Sequence, residues 1–143
     1  MNAPRFNKCI SMRLEPDIPR LTHQNGVKVV VQNGRPRVYK TPALRDLEAK
    51  YCTLLKPHAP PSPLDGPICL RVAYYFRSSA ACTTWKTTKP DTDNLLKTLK
   101  DCLTHCGFWK DDAQVCSESV VKFLSGEDWH GIVVNIQQLD GTP

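Results

Sequence analysis

Carboxylates are concentrated between residues 89 and 115, on either side of an apolar run. Asp91 and Asp93 stand at the start of that run, and Asp111 and Asp112 follow its end. Carboxylates held close together repel one another unless a cation lies between them, and ligation by oxygen alone suits a hard ion such as Mg²⁺ or Mn²⁺. Such an ion can activate a water molecule and neutralise charge on a phosphoryl group. The stretch therefore indicates metal-assisted phosphoryl chemistry.

The apolar run between the two acidic pairs has the periodicity of an amphipathic helix. Pro90 disfavours helix before it, Thr92 or Asp93 can cap the first turn, and Gly107 ends the pattern. Apolar side chains recur at three- and four-residue intervals: Leu95, Leu96, Leu99, Cys102, Leu103 and Cys106. We expect a helix that buries this stripe.

One flank of the predicted helix carries charged residues at four-residue intervals, namely Asp93, Lys97 and Asp101. Asp91 lies two residues upstream of Asp93 in extended backbone, so the two carboxylates can converge. A strand that follows the helix could return a carboxylate of the second acidic pair to the same end. A lysine beside a reacting phosphate stabilises its oxyanions, and Lys97 is placed to do so.

A purely structural interpretation fits the same spacing. Asp91 and Asp93 would then only cap the helix, and Asp111-Asp112 would form a turn. Lys97 would pair with Asp93 and Asp101 on a solvated face. Spacing alone leaves both interpretations open.

The order of these residues resembles the signature of a known family. It reads Lys-Pro-Asp-x-Asp-Asn-x-x-Lys, then Asp-x-Leu about one turn later, then Gly-Phe-Trp-x-Asp-Asp-x-Gln-Val. This arrangement is similar to that of the RusA family of Holliday-junction resolvases. The likeness spans about residues 28–139 and includes the basic segment Gly-Arg-Pro-Arg-Val-Tyr that begins at Gly34.

The resemblance implies a small homodimeric endonuclease of bacteria or their phages that depends on Mg²⁺, for which Mn²⁺ would substitute. It implies metal-binding carboxylates at Asp91, Asp93 and Asp112, which are also catalytic, and a catalytic lysine at Lys97. The implied substrate is a four-way DNA junction, cut in recombination and repair to leave 5′-phosphate and 3′-hydroxyl ends. Three further residues match family positions with lesser roles: Asp101, Asp111 and Gln114.

Positive charge is concentrated in the first fifty residues, where ten Lys and Arg outnumber four Asp and Glu, in a chain of net charge +5. An acidic site alone would repel DNA, so basic surface beside it is needed to hold phosphates through counterion release. We expect Arg35, Arg37, Lys40 and Lys89 to contact DNA. The alternative is that these residues form an ordinary solvated surface.

Elsewhere the periodicities predict an α+β fold. A helix begins with Thr41 as cap and ends near Lys56. Residues 27–32 and 68–76 alternate as strands, and residues 116–124 and 132–139 are predicted to form a hairpin. The expected architecture is a small, largely antiparallel or mixed sheet with two helices packed on one face, forming a single domain over residues 1–143.

The two-fold symmetry of a four-way junction predicts a homodimer with one active site per chain. Two surfaces are candidates for the dimer contact. One is the leucine face of the second helix, and the other is the edge of the predicted C-terminal hairpin. The sequence does not choose between them.

Several other classes of protein fit less well. No apolar run is long enough to span a bilayer, the start lacks a signal peptide's apolar core, and seven cysteines at irregular spacing do not suggest a disulfide framework. We expect a cytoplasmic protein with no membrane association and no nucleotide cofactor. Rival interpretations are a broader nuclease for branched DNA, a non-catalytic junction binder, and a zinc-dependent adaptor. The adaptor would use Cys102, His105, Cys106 and Cys116.

Overall fold

A computed structural model describes residues 6–15 and 26–140, which form two α-helices, a five-stranded sheet and a two-stranded hairpin. Arg5 and Arg20, two of the basic residues of the first fifty, lie outside the described residues. The strands are β1 (Phe6–Leu14), β2 (Val27–Gln32), β3 (Arg35–Lys40), β4 (Ile68–Arg77), β5 (Thr84–Trp85), β6 (Val115–Ser125) and β7 (Gly131–Leu139). The helices are α1 (Pro42–Leu55) and α2 (Thr92–His105). The predicted α+β class is confirmed.

The five-stranded sheet is mixed, with the strand order β1-β7-β4-β6-β5. Strand β4 runs parallel to β6 and antiparallel to β7, so it separates the two strands that were predicted to pair as a hairpin. That prediction is wrong, although both strands exist. The apolar run of β4, Ile-Cys-Leu-Arg-Val-Ala-Tyr-Tyr-Phe, suits a central strand with partners on both sides.

Each helix follows a residue in extended conformation that occupies the N-cap position. Thr41 caps α1 by accepting a hydrogen bond from the Leu44 amide at 3.3 Å, and Pro42 opens the helix as predicted. Helix α2 begins at Thr92, one residue earlier than a Thr92 cap implies and two earlier than an Asp93 cap implies, because Asp91 occupies the N-cap position. The Asp91 side chain makes no capping hydrogen bond there. Thr92 and Asp93 are therefore not the caps.

The core lies between the two helices and one face of the sheet. Tyr74 of β4 is fully buried, and its hydroxyl donates to the Leu95 carbonyl of α2 at 3.2 Å, which ties the central strand to the helix. Leu95, Leu99 and Leu103 are all buried in this core. They cannot provide the dimer surface that the sequence allowed for.

Strands β2 and β3 form a separate hairpin whose side chains are almost all exposed. Cross-strand partners share a face, so Val29 lies beside Val38 on one side and Val30 beside Arg37 on the other. Val29 and Val38 are 66% and 67% exposed. The hairpin is thus an arm with one apolar side and one basic side.

Two general expectations concern membranes and disulfides. In the parts of the chain that the structure covers, no helix is both long and apolar enough to cross a bilayer. All seven cysteines are free thiols, as their irregular spacing predicted.

Candidate active site

A cavity of about 230 Å³ lies beside α2, and three of the four predicted catalytic residues line it. Its lining consists of Asp93, Leu96, Lys97, Lys100, Asp112 and Glu118. Helix α2 contributes four of these side chains, the turn after it contributes Asp112, and β6 contributes Glu118. The return of a carboxylate from the second acidic pair therefore occurs, and Asp112 is the residue that returns.

Helical spacing explains the α2 side of the cavity. Asp93, Lys97 and Lys100 follow one another at intervals of four and three residues, which places them on one face. The Lys97 ammonium lies 3.0 Å and 3.3 Å from the two Asp101 carboxylate oxygens, and the Lys100 ammonium lies 3.0 Å from Glu118 Oε2. The cavity thus presents two ammonium groups beside its carboxylates.

The Asp112 carboxylate is held in place by the end of α2 and by a buried indole. Thr104 Oγ1 donates to Asp112 Oδ1 in a short hydrogen bond, and Trp109 Nε1 donates to the same oxygen at 3.3 Å. Burial raises the pKa of Asp112, but the hydrogen bonds from Thr104 and Trp109, together with the Lys100 charge, outweigh it. The net pKa lies below the ordinary value, so this carboxylate is ionised at neutral pH.

Gln114 fixes the turn that carries Asp112. Its Oε1 accepts from the amides of Lys110 and Asp111 at 2.9 Å and 3.1 Å. Its Nε2 donates to the carbonyls of Leu64 and Gly66, each at 3.0 Å. Asp111 caps the same turn by accepting from the Ala113 amide at 2.8 Å. Gln114 and Asp111 therefore act as positioning residues.

Asp91 stands apart from the other predicted catalytic residues. It is exposed at the N-cap of α2 and does not line the cavity. The backbone before it is anchored by Lys122, whose Nζ donates to the Thr88 and Pro90 carbonyls at 2.8 Å and 2.7 Å. The position of Asp91 is thus well fixed, and its side chain is not used for capping.

A divalent cation fits the donor set only with help from substrate. Among residues 6–15 and 26–140, no group of three or more His, Cys, Asp or Glu side chains is arranged to hold a metal. Mg²⁺ commonly binds through one or two carboxylates and completes its shell with waters and substrate phosphates. Asp93 and Asp112 supply two carboxylates to one cavity, which matches that requirement.

The four residues of the zinc-adaptor alternative do not converge on a metal-binding arrangement in the described part of the chain. Cys102 is buried in the core, whereas Cys116 is exposed on β6. Burial raises the pKa of Cys102 well above its ordinary value and raises that of Cys106 to about 12, as expected for thiols packed beside the core. The packing role predicted for Cys102 is confirmed.

The predicted DNA-binding residues lie in two places. Arg35 and Arg37 project from the exposed arm, and Lys40 at its base forms a 2.7 Å ion pair with Glu48. Lys89 instead lines a groove of about 630 Å³ next to Asp91. Basic side chains therefore occur on the arm and directly before the acidic motif.

Lys100 and Glu118 are cavity residues that the sequence reasoning did not select. The signal for Lys100 was available, because it lies seven residues after Asp93 on the predicted helix face. Glu118 gave no signal, since only the pairing of β6 with β4 brings it opposite α2.

The sequence matches a known protein family and is similar to proteins of a bacterium and a phage. The family described as Endodeoxyribonuclease RusA matches residues 18–137. The chain is 32% identical over 111 residues to the uncharacterized protein YqaN of Bacillus subtilis (strain 168), covering 68% of this chain and 77% of YqaN. It is 26% identical over 100 residues to the protein named crossover junction endodeoxyribonuclease rusA of Lactococcus phage r1t, covering 68% of this chain and 75% of the phage protein.

Proposed function

Because this chain belongs to the RusA endodeoxyribonuclease family, we propose that it is a Mg²⁺-dependent endonuclease that resolves four-way DNA junctions in recombination and repair. Membership of this family identifies the chain as a nuclease that acts on DNA junctions. The observation that carries the catalytic proposal is the shared cavity of Asp93, Lys97 and Asp112.

Nucleases of this family generally depend on a divalent metal, and we propose Mg²⁺, with Mn²⁺ able to replace it. Asp93 and Asp112 would hold the ion at the cavity, with Asp91 approaching from the N-cap of α2. When bound, the ion would supply charge neutralisation and a more acidic water. Thr104 and Trp109 would keep Asp112 oriented toward it.

Lys97 has the role of stabilising charge on the scissile phosphate. The Lys97 side chain is 53% exposed while its ammonium pairs with Asp101, so it can reach substrate without breaking a buried contact. As negative charge develops on the phosphoryl and leaving oxygens, an ammonium at this position would lower the barrier. Lys100 would add positive charge to the same cavity from its pair with Glu118.

We further propose that the protein acts as a homodimer. Resolution of a four-way junction needs two cuts in strands of like polarity, and a two-fold dimer presents two sites with the matching symmetry. The core position of the α2 leucines leaves the dimer contact to other surfaces of the chain.

The decisive experiment compares three labelled DNAs, namely a mobile four-way junction, a flap and a linear duplex, each with Mg²⁺ or EDTA. We expect paired nicks in the junction with Mg²⁺, little cleavage of the duplex and none with EDTA. Equal cleavage of flap and junction would indicate a broader branched-DNA nuclease. Tight junction binding without cleavage in either condition would contradict an enzymatic function.

Replacing Arg35 and Arg37 together by alanine is expected to weaken junction binding and flatten its salt dependence. If each arginine contacts one phosphate, the slope of log affinity against log salt should fall by about 0.9 per lost contact. The cleavage rate of bound enzyme should change little. Binding titrations at several salt concentrations, with single-turnover cleavage, measure both.

The matched control removes the same charge elsewhere, through Lys50→Ala and Arg71→Ala, both of which are exposed. This variant should keep the wild-type salt slope. An unchanged slope in the Arg35→Ala/Arg37→Ala protein would assign the phosphate contacts to another surface.

A further inference from the structure

A row of aromatic side chains crosses the sheet on the face away from the helices. Tyr74 points to α2, so its neighbour Tyr75 points to the opposite face. Tyr75 lies 5.1 Å from Phe123 and 5.4 Å from Trp129, measured between ring centroids, and Phe123 lies 4.8 Å from Trp85. The row thus runs from Trp129, near the start of β7, to Trp85 on the edge strand β5.

Trp85 ends this row and is the most exposed tryptophan. It is 67% exposed, whereas Trp109 is 1% exposed and Trp129 is partly covered by Tyr75 and by the Arg13 guanidinium, 4.5 Å from its ring. Contact with Phe123 orients the Trp85 ring, so a planar partner could bind with little loss of side-chain entropy. Tryptophan is enriched at binding interfaces, where its large ring covers apolar surface of a partner.

The chain between Trp85 and the acidic motif is anchored. The Lys86 amide donates to the Lys122 carbonyl at 3.0 Å. Lys122 Nζ in turn binds the carbonyls of Thr88 and Pro90, the residue directly before Asp91. The Trp85 ring therefore has a fixed position relative to the start of α2.

Positive charge from this loop and from the end of β4 lies in one groove. Arg77, Lys86 and Lys89 line the groove of about 630 Å³ together with Phe76 and Pro90. The Lys86 ammonium lies 5.0 Å from the centre of the Phe76 ring. Phe76 shares the α2 face of the sheet with Tyr74, whereas Trp85 packs against Phe123 on the opposite face, so the groove and the indole lie on the two sides of the edge strand β5. The groove offers positive charge to phosphates, and the indole offers a stacking surface to a base.

We propose that Trp85 stacks on an unpaired base of branched DNA while Arg77, Lys86 and Lys89 hold phosphates of the same strand where it passes over the edge strand β5. This inference rests on the proposed function for its substrate and adds the means of recognition. Bases at a branch point can leave the stack, whereas those of a linear duplex are paired and enclosed. Stacking on Trp85 would be tolerant of sequence, because every base has a π-face, and would favour branched DNA over duplex.

Binding of Trp85 variants in EDTA tests this directly, with a four-way junction, oligo-dT and linear duplex as probes. Trp85→Ala should weaken binding to the junction and oligo-dT about tenfold and change duplex binding less than twofold. Trp85→Phe keeps an aromatic ring and should retain most of the affinity. The control Thr53→Ala, at an exposed residue of α1 away from both proposed DNA contacts, should bind all three DNAs normally. Unchanged junction binding by Trp85→Ala, or an equal loss on duplex, would overturn the proposal.

Tryptophan fluorescence provides a second measurement that needs no cleavage. It tests the proposal even if the Trp85→Ala variant fails to fold. The Trp129→Phe variant keeps two tryptophans, Trp85 and the buried Trp109. Its emission should be quenched by oligo-dT in EDTA, and the quenching should vanish in Trp85→Phe/Trp129→Phe. Binding without quenching would refute stacking. A wild type that quenches but cuts no junction would instead refute the nuclease proposal and support the stacking site.

Discussion

Asp93→Asn and Asp112→Asn are each expected to abolish Mg²⁺-dependent junction cleavage while leaving junction binding unchanged or tighter. Both carboxylates line the same cavity, so each amide would remove a charged metal ligand. The cleavage rate should fall more than about 100-fold. Mutation of a residue that only hydrogen-bonds to a metal ligand already lowers metal affinity or activity about 10- to 100-fold. Loss of a negative charge would also reduce repulsion of phosphate. Single-turnover cleavage and binding in EDTA measure the two effects separately.

Two further variants make this test specific. Asp101→Asn should be milder, because Asp101 pairs with Lys97 and does not line the cavity. Asp91→Asn tests whether the exposed N-cap carboxylate joins the site when DNA and metal are bound, and we expect it also to abolish cleavage. Substantial cleavage by any two of the Asp91, Asp93 and Asp112 variants would remove the assigned site.

Lys97→Ala is expected to lower the cleavage rate about 10²–10³-fold with little change in junction affinity. That is the size of effect seen when one electrostatic group is removed from a transition state. The exposed Lys97–Asp101 pair contributes only a few tenths of a kcal/mol to folding, so the melting temperature should hardly move. Parallel rate and melting measurements distinguish catalysis from a helix-surface role.

Lys100→Ala is the matched control for Lys97→Ala. Lys100 lines the same cavity, but its ammonium is directed to Glu118, so we expect a smaller loss of rate. Cleavage by Lys97→Ala at a nearly normal rate, with normal stability, would return Lys97 to the role of a solvated ion-pair partner.

The elements that the sequence predicted well are those specified by local chemistry. Thr41 and Pro42 start α1 as expected, and the alternation in residues 68–76 gives β4. Strand β1 was missed although Ile10, Met12 and Leu14 alternate, because the pattern is short. Strand β3 was also missed, since Pro36 argues against a strand and is tolerated only because the arm has free edges.

The features that the sequence did not predict depend on contacts between residues that are distant in the chain. The pairing of β6 with β4 decides that Glu118 faces α2, and no local pattern specifies it. The support of Asp112 by Thr104 and Trp109 likewise needs the turn after α2 to fold back. The family resemblance named Asp93, Lys97 and Asp112 together, whereas spacing alone could not separate a metal site from a capped helix.

The position of β4 between β6 and β7 also governs how the protein folds. Each ladder of the large sheet joins distant segments, as in Ile10 with Ile136, Val72 with Val134 and Trp85 with Phe123. Such topologies fold slowly, because the chain loses loop entropy before the pairing energy is gained. Strand β4 pairs with both halves of the sheet, so loss of β4 would remove the central partner of each half at once. The cavity geometry should therefore be gained or lost in one cooperative transition.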